Sequence, residues 1–398
     1  MLSAFRPGST LEVLQAFFKL GVSSFGGPVA HIGYFREEFV VRRRWLQDAA
    51  FSDLVALCQF LPGPASSQMG FSIGLMRAGY WGALAAWIGF TLPSAVALVL
   101  FADSLSTARG PTGAGILHGL KLVAVAVVAQ AVWGMARTLC PDLRRAMIAG
   151  AAALIVLSST STGAQIAAIV AGGIAGLWLC RSAAPAGTGI FAVPVSRRAG
   201  LASLAIFGAL LMGLPPLISA GSPRAVELFG AFYRSGALVF GGGHVVLPLL
   251  RNAFVMPGWV SDDVFLAGYG AAQAIPGPLF SFAAYLGAVV EPPLHGLAGA
   301  LIGLTGIFLP GLLILIAALP FWQVLRTRTD AQAAMRGINA AVVGILGAAL
   351  YNPVWTSSVA RASDVAAALV GFALLTFWRV PPLLVVLMGG LAGIGLRR

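Results

Sequence analysis

Long apolar stretches, separated by short polar segments, recur along the chain from about Leu11 to Leu396. A transmembrane helix needs about 20 mostly apolar residues, because the hydrocarbon core of a bilayer is about 30 Å thick. Five candidate spans precede residue 226, at 81–101, 116–135, 146–157, 164–179 and 201–217. The pattern therefore predicts an all-α polytopic membrane protein without a separate soluble domain.

Two of the apolar regions are interrupted by Pro-Gly-Pro. Residues 59–64 read Gln-Phe-Leu-Pro-Gly-Pro, and residues 273–278 read Gln-Ala-Ile-Pro-Gly-Pro. Proline removes an amide donor and breaks a helix, and lipid cannot satisfy the freed carbonyls. Such a break persists only where it is buried in protein or lines a wet cavity. The pieces that flank the first break, 49–61 and 65–76, are each too short to cross a bilayer, which indicates a re-entrant hairpin.

The second half of the chain repeats the first almost without gaps. Residues 19–28 read KLGVSSFGGP, and residues 234–243 read RSGALVFGGG. We therefore expect an N-terminal repeat at 1–198, a linking span at 199–224 and a C-terminal repeat at 225–398. At offsets of 214 or 215 residues, the matched pairs are Lys19 with Arg234, Trp45 with Trp259, Asp48 with Asp262, and Gln59 with Gln273.

Charge is distributed oppositely in the matched loops. Loop 36–44 contains four arginines, whereas its counterpart 251–263 contains one arginine and two aspartates. Arg77 follows the first Pro-Gly-Pro, and Glu291 follows the second. Cytoplasmic loops are enriched in Lys and Arg, so matched loops lie on opposite sides of the membrane. The sequence thus predicts two inverted-topology repeats, a common transporter architecture, with about nine full spans and four broken segments. The same bias explains most of the net charge of +12, and no nucleic-acid partner is indicated.

Polar side chains within the apolar segments are the first candidates for function, because they are costly in lipid. Lys19 and Arg234 either attract an anion or snorkel to the membrane interface. Gln59 and Gln273 precede the breaks and either donate to a ligand or bridge two helices.

Two histidines lie beside the glycine-rich segments. His31 and His244 are not repeat equivalents, and each is either a proton relay or a satisfied core histidine.

The interrupted backbone is the stronger candidate for an anion site. Helices that begin after the breaks present free N–H groups and a positive dipole end. Glycine also lets backbone approach a ligand closely, although close helix packing explains many of the 50 glycines. Besides the paired cations and glutamines, the predicted substrate-binding residues are Phe25, Gly26, Gly27, Pro62, Gly63, Pro64, Phe240, Gly241, Gly242, Pro276, Gly277 and Pro278.

Enzymatic motifs are lacking in the sequence. No His, Asp or Glu group has metal-ligand spacing, and the three cysteines have no metal or redox spacing. No P-loop is present, and the glycines at 241–243 lack the strand that a nucleotide motif requires. The sequence therefore predicts neither an enzyme nor a cofactor.

The Phe-Gly-Gly segment near the start of each half, the Trp and Asp pair, and the Leu/Ile-Pro-Gly-Pro element together resemble the chromate ion transporter family, in its long two-domain form. The resemblance covers nearly the whole chain, with most specificity at 19–76 and 234–290. It implies multi-pass insertion in a bacterial inner membrane and proton-driven export of chromate, with sulfate as a similar dianion. Gly243 stands where the first half has Pro28, so the two halves are not interchangeable.

Two alternatives remain open from the sequence. The chain is either a secondary transporter of a tetrahedral divalent oxyanion, or a passive anion channel or transporter of sulfate or another anion. Protons are the candidate coupling ion, lipid is the surrounding partner, and a homo-oligomer is left open.

Overall fold

The computed structural model describes residues 8–107, 111–159, 162–181, 195–291 and 294–396, and these residues form helices and loops with no β-strand. The first half contains α1 (Thr10–Ser23), α2 (Gly27–Arg36), α3 (Asp48–Phe60), α4 (Ala65–Thr107), α5 (Pro111–Leu139), α6 (Leu143–Ser158) and α7 (Thr162–Leu179). Helix α8 (Arg197–Ser219) joins the halves. The second half contains α9 (Arg224–Ala237), α10 (Val246–Phe254), α11 (Asp262–Ala272), α12 (Phe282–Val289), α13 (Gly296–Ala318), α14 (Trp322–Leu325), α15 (Thr329–Ala349), α16 (Thr356–Ser358), α17 (Ala362–Thr376) and α18 (Pro382–Leu396).

Shorter turns extend several of these helices. The 3₁₀ turns are Gly243–Val245, Leu279–Ser281 and Leu319–Phe321, and the π-helical turns are Glu37–Arg42 and Leu350–Trp355. The 3₁₀ turns at 243–245 and 279–281 stand where the second half restarts after its breaks, so α10 and α12 begin with a tighter turn than their counterparts.

Side-chain caps fix where several helices begin. The hydroxyls of Ser9, Ser196 and Ser261 accept hydrogen bonds from backbone amides three residues ahead, at 3.1, 3.1 and 3.4 Å. The Asp142 carboxylate accepts from the amide of Arg145 at 3.0 Å. Each cap satisfies an orphan donor of the first turn and is worth about 1 kcal/mol.

The segment from α3 to the first part of α4 enters and leaves on one side of the protein. Non-helical backbone at Ala78 and Gly79 divides α4, and the Gly79 φ of +64° lets the chain reverse there. The Arg77 guanidinium lies 4.9 Å from the ring of Trp45, which precedes α3. Both ends of the hairpin are therefore close together, and the predicted re-entrant hairpin is confirmed.

The second half contains the matching hairpin, α11 with α12. The Tyr285 hydroxyl, near the end of α12, donates to the carbonyl of Val264 in the first turn of α11 at 2.8 Å. The rings of Phe265 and Phe282 also meet, with centroids 5.4 Å apart. This pair of short helices is therefore re-entrant as well.

Helices α1 and α2 form a further return pair on the same side as Arg77. Glu12, near the start of α1, pairs with Arg77 at 3.1 Å and with Arg43, beyond the end of α2, at 3.8 Å. The ring of Phe17 stacks on that of Phe39 at 4.8 Å, which holds the two arms together. The segment from α1 to the first part of α4, as far as Gly79, thus begins and ends at one face before the chain crosses.

The path between α1 and α9 establishes the inversion. The chain crosses with α4 beyond Gly79, with α5 and with α8. Helices α6 and α7 return to their starting side, since the Arg144 side chain donates to the carbonyl of Leu179 at 3.3 Å. An odd number of net crossings separates the repeats, so the second begins on the opposite face. Two inverted-topology repeats are therefore present, as predicted.

Within the described residues, five helices are long and apolar enough to cross a membrane: Ala65–Ser104, Gly113–Leu139, Arg197–Ser219, Gly296–Leu325 and Thr329–Ser358. The other four predicted spans correspond to α6, α7, α17 and α18, which have 16, 18, 15 and 15 residues. The chain is an all-α polytopic membrane protein.

The halves interlock through matched helix pairs. Helix α1 packs on α4 and α9 packs on α13, whereas α5 packs on α17 and α18 and α15 packs on α6 and α7. Glycines allow these close approaches: Gly119 lies against the backbone of Gly389, and Gly337 lies against that of Gly172. Helix α5 of the first half therefore supports the short helices α17 and α18 of the second half. In the same way, α15 of the second half supports α6 and α7 of the first half.

Candidate functional site

The breaks of the two halves meet in the interior, each with a break of the opposite half. We call residues 24–27 and 239–242 the glycine breaks, and residues 62–64 and 276–278 the proline breaks. The amide of Gly277 donates to the carbonyl of Ser24 at 3.0 Å. At the repeat-equivalent place, the amide of Gly63 donates to the carbonyl of Val239 at 2.7 Å. Each contact marks a place where the glycine break of one half meets the proline break of the other half. We call such a place a crossing, and the two crossings have the same backbone contact.

Protein surrounds the proline break at 62–64. Gly63 and Pro64 are buried, and a Cβ added to Gly63 would stand 2.8 Å from the Cα of Gly311. The Gln68 side-chain amide donates to the carbonyls of Pro62 and Gly311, both at 2.8 Å. This glutamine satisfies a carbonyl that the break frees, which is the requirement for such a break inside a membrane.

The proline break at 276–278 packs on the other half in the matched way. A Cβ on Gly277 would stand 2.9 Å from the Ser94 hydroxyl, and Ser94 and Ser281 share a hydrogen bond of 2.7 Å. Ser94 and Gly311 each follow the proline of a Gly-x-x-Leu-Pro segment that recurs in both repeats. Each proline break therefore packs against the Gly-x-x-Leu-Pro segment of the other half.

A cavity of about 550 Å³ opens where the glycine break at 24–27 meets the proline break at 276–278. Gly26, Gly27 and Ala30 form one wall, and Gln273 and Gly277 form another. A Cβ on Gly27 would meet no atom within 4 Å, so the space in front of this backbone is empty of protein. The cavity brings together predicted residues of both halves. We call this place the open crossing.

Hydrogen-bond donors face the open crossing. Helix α2 begins at Gly27, and no side chain caps its first turn, so its leading N–H groups have no side-chain acceptor. The side-chain nitrogen of Gln273 is buried and has no hydrogen-bond partner among the described residues. A positive helix end and an orphan donor together suit a negatively charged ligand.

His244 also lines the cavity and is held by Tyr269. Its Nδ1 lies 2.7 Å from the tyrosine hydroxyl, for which the described part of the chain offers no other acceptor. The hydroxyl therefore donates to Nδ1, and the neutral imidazole carries its proton on Nε2.

Two polar lining residues, Gln130 and Arg379, were not among the predicted site residues. Gln130 lies on α5, and its side-chain amide donates to the carbonyl of Leu375 at 3.1 Å. Arg379 lies in the turn between α17 and α18. A lone arginine in a short loop resembles an ordinary interface cation, and only its position in the fold distinguishes it.

The repeat-equivalent crossing is filled by side chains. A Cβ on Gly241 would stand 3.3 Å from the Asn339 side-chain oxygen and 3.3 Å from Leu139, and one on Gly242 would stand 3.8 Å from the Met135 sulfur. We call this place, where residues 239–242 meet residues 62–64, the closed crossing. Its glycines face protein.

Several predicted residues lie away from the cavity wall. Lys19, Arg234 and Gln59 are exposed and do not line the open crossing. Phe25 and Phe240 are half-buried beside their glycine breaks.

His31 has a structural contact. It is 1% exposed, and its Nε2 donates to the Ser24 carbonyl at 3.2 Å, the same carbonyl that receives the Gly277 amide. His31 thus braces the open crossing without lining its cavity.

The Trp and Asp pairs brace the loops that lead into the hairpins. The amides of Trp45 and Trp259 donate to carbonyls of Phe39 and Phe254 at 2.7 and 2.9 Å. Asp48 pairs with Arg36 at 2.7 Å, and Asp262 pairs with Arg251 at 2.9 Å. The Trp and Asp residues therefore have a structural role in both repeats.

Comparison with known proteins identifies the family. The chromate transporter family model matches residues 11–177 and 226–394. The chain belongs to the chromate transporter family. The resemblance seen in the sequence is thereby confirmed, and the chain is a membrane transport protein, not an enzyme.

Curated relatives match over most of their length. A chromate transport protein of Pseudomonas aeruginosa is 28% identical, over 97% of this chain and 92% of its own. A probable chromate transport protein of Synechococcus elongatus is 23% identical, over 97% and 95%. A chromate transport protein of Cupriavidus metallidurans is 25% identical, over 86% and 82%. No solved structure matches this chain.

Proposed function

We propose that the chain is a secondary active transporter that exports chromate across the bacterial inner membrane, driven by the proton gradient. The names of the relatives from Pseudomonas aeruginosa and Cupriavidus metallidurans support chromate as the substrate. Sulfate is a tetrahedral dianion of the same kind and is the expected competitor. The inverted repeats support an alternating-access carrier, since this architecture is common among secondary transporters.

The cavity at the open crossing is the observation that carries this proposal. It presents the free end of α2 and the unpartnered Gln273 amide, and no acidic residue lines it in the part of the chain that the structure describes. A dianion in a low-dielectric site needs donors around it, and oriented amides supply them without a fixed charge at the centre.

We place the coupling proton at His244. Histidine changes charge within the physiological pH range, and this one lines the cavity with Nδ1 engaged by Tyr269. Protonation there would add a positive charge beside the anion, so binding of the proton and binding of the anion would be coupled.

Everted membrane vesicles test the proposal. Chromate uptake is measured with and without an imposed proton gradient, at equal membrane potential, with sulfate as competitor. We expect uptake above the equilibrium level only with the gradient, and inhibition by sulfate. Uptake that never exceeds equilibrium would identify a passive channel, and absence of chromate uptake alongside sulfate uptake would identify another anion as the substrate. Substitution of His244 by Gln should preserve chromate binding but uncouple uptake from the gradient.

A further inference from the structure

Among the described residues that line the cavity, one side chain carries a permanent positive charge, and it was absent from the predicted site. Arg379 lies at the open crossing, is exposed, and forms no hydrogen bond or ion pair with another described residue. Its guanidinium is therefore available to a ligand. Lys19 and Arg234 do not line this cavity.

The backbone at Arg379 is held in a conformation that arginine seldom adopts. Its φ is +51°, in the left-handed region where glycine is the usual residue at a helix end. The Val380 amide returns to the carbonyl of Leu374 at 3.0 Å, and Gln130 fastens the adjacent Leu375 carbonyl to α5. The turn is therefore fixed against the cavity. Strain of this kind persists where the surroundings impose it, and it is frequent at functional sites.

The matched segment of the first-half sequence contains no cation. Helices α6 and α7 correspond to α17 and α18, and the sequence between them, residues 159–161, reads Ser-Thr-Ser. The arginine is therefore a feature of one repeat, and it lies at the crossing that is open. This asymmetry is unexpected for a cation whose only role is to anchor a helix pair at the membrane surface.

We propose that Arg379 is the residue that selects doubly charged oxyanions at this cavity. The inference rests on the proposed function, because it assigns a residue to the same anion site. The amides of α2 and Gln273 recognise oxygen atoms whatever the total charge, whereas the guanidinium interacts in proportion to charge. Removal of the arginine should therefore weaken the binding of a dianion more than the binding of a monoanion of the same shape.

Two arginines permit a matched experiment. In the described part of the chain, Arg44 and Arg379 are the non-glycine residues with positive φ, and Arg44 is exposed in a loop away from the cavity. Arg379→Gly and Arg44→Gly each remove one charge and relieve the same backbone strain, so neither variant should fold less well. Arg379→Lys retains the charge without the planar fork.

Binding to the purified full chain is measured by equilibrium dialysis with chromate and with perchlorate, a tetrahedral monoanion. We expect Arg379→Gly to weaken chromate binding at least tenfold. Perchlorate carries half the charge of chromate, so its binding should weaken by the square root of that factor, about threefold. Arg379→Lys should lie between wild type and Arg379→Gly for chromate, and Arg44→Gly should match wild type.

The outcomes separate this inference from the function on which it rests. A second variant, Ala30→Glu, places a negative charge on the cavity wall. Wild-type chromate affinity in Arg379→Gly, combined with loss of chromate binding in Ala30→Glu, would overturn the role of Arg379 and leave the cavity as the site. Equal losses for chromate and perchlorate would also overturn it, since they would indicate a structural role. Failure of the wild-type protein to bind either anion would overturn the proposed function itself.

Discussion

The open and closed crossings share one backbone contact and differ in what surrounds it. In each, the amide of a proline-break glycine donates to the carbonyl that precedes a Phe-Gly-Gly segment, at 3.0 Å in the open and 2.7 Å in the closed crossing. Beyond that contact, Gly27 at the open crossing faces an empty volume, whereas Gly241 and Gly242 at the closed crossing face Met135, Leu139 and Asn339. The repeat therefore supplies the shared backbone contact, and side chains of the long helices α5 and α15 fill one crossing and leave a cavity at the other.

This difference suggests how alternating access would work in the family. Inverted repeats adopt two related conformations, and an exchange between them moves the opening from one face to the other. We expect the closed crossing to open when α5 withdraws Met135 and Leu139 from the glycine break at 239–242. The residues that fill the closed crossing would then act as its gate.

The largest expected effect is the side of the membrane from which a cysteine is labelled, which is an all-or-none result. It tests whether the two crossings are related by inversion. In a background with Cys58, Cys140 and Cys180 replaced by Ala, single cysteines at Gln47 and Ser261 should react with an impermeant maleimide from opposite faces. Both positions are exposed and directly precede α3 and α11. Labelling of both from one face would contradict the inverted repeat, and detergent-permeabilised cells provide the control for reactivity.

A negative charge placed in the open crossing should abolish transport. Ala30 lines the cavity in the first turn of α2, so Ala30→Glu would occupy the same donors as the anion and repel it. Repulsion is about 4 kcal/mol for each pair of unit charges at 4 Å with an effective dielectric of 20. An acidic residue in a first turn favours the helix, so folding should be retained.

Ala30→Gln is the matched control, because it adds the same volume without the charge. Chromate uptake in vesicles should fall to background for Ala30→Glu and remain measurable for Ala30→Gln. Wild-type uptake in the glutamate variant would place the anion site outside the cavity.

The next largest effect is expected when the glutamines before the proline breaks are replaced by alanine. Gln273 presents an unpartnered amide at the open crossing, whereas Gln59 is exposed. A hydrogen bond to a charged group is worth about 1.5–3 kcal/mol, so Gln273→Ala should weaken chromate binding about ten- to a hundredfold. Gln59→Ala should change it less than about twofold. Equal losses in the two variants would show that the crossings contribute alike and that the open cavity has no special role.

The parts of the fold that sequence could predict are those with local causes. A Pro-Gly-Pro within an apolar segment breaks the helix wherever it lies, so the breaks and the re-entrant hairpins followed directly. The inversion followed from the four arginines of loop 36–44, against one arginine and two aspartates in loop 251–263. Both conclusions need no knowledge of distant contacts.

The difference between the crossings could not be predicted, because it depends on residues far away in the chain. Met135 and Asn339 reach the closed crossing from two different helices, and nothing in their own segments marks them. Gln68 offered a signal that was missed, since a polar residue within the apolar stretch after the first break needs a partner. The repeat also suggested equivalent roles for Gln59 and Gln273, and the fold separates them.

The smallest expected effect concerns the cations Lys19 and Arg234, which the sequence repeat pairs with each other. Both are exposed and neither lines the cavity, so each would act on the anion only through a screened field. The Debye length is about 10 Å at 0.1 M salt, which leaves little of that field at a distance. Lys19→Gln and Arg234→Gln should therefore change the apparent KM for chromate uptake less than about twofold, and added potassium gluconate should remove the change. A tenfold loss that persists at high salt would bring these cations into the site and make the two crossings electrostatically equivalent.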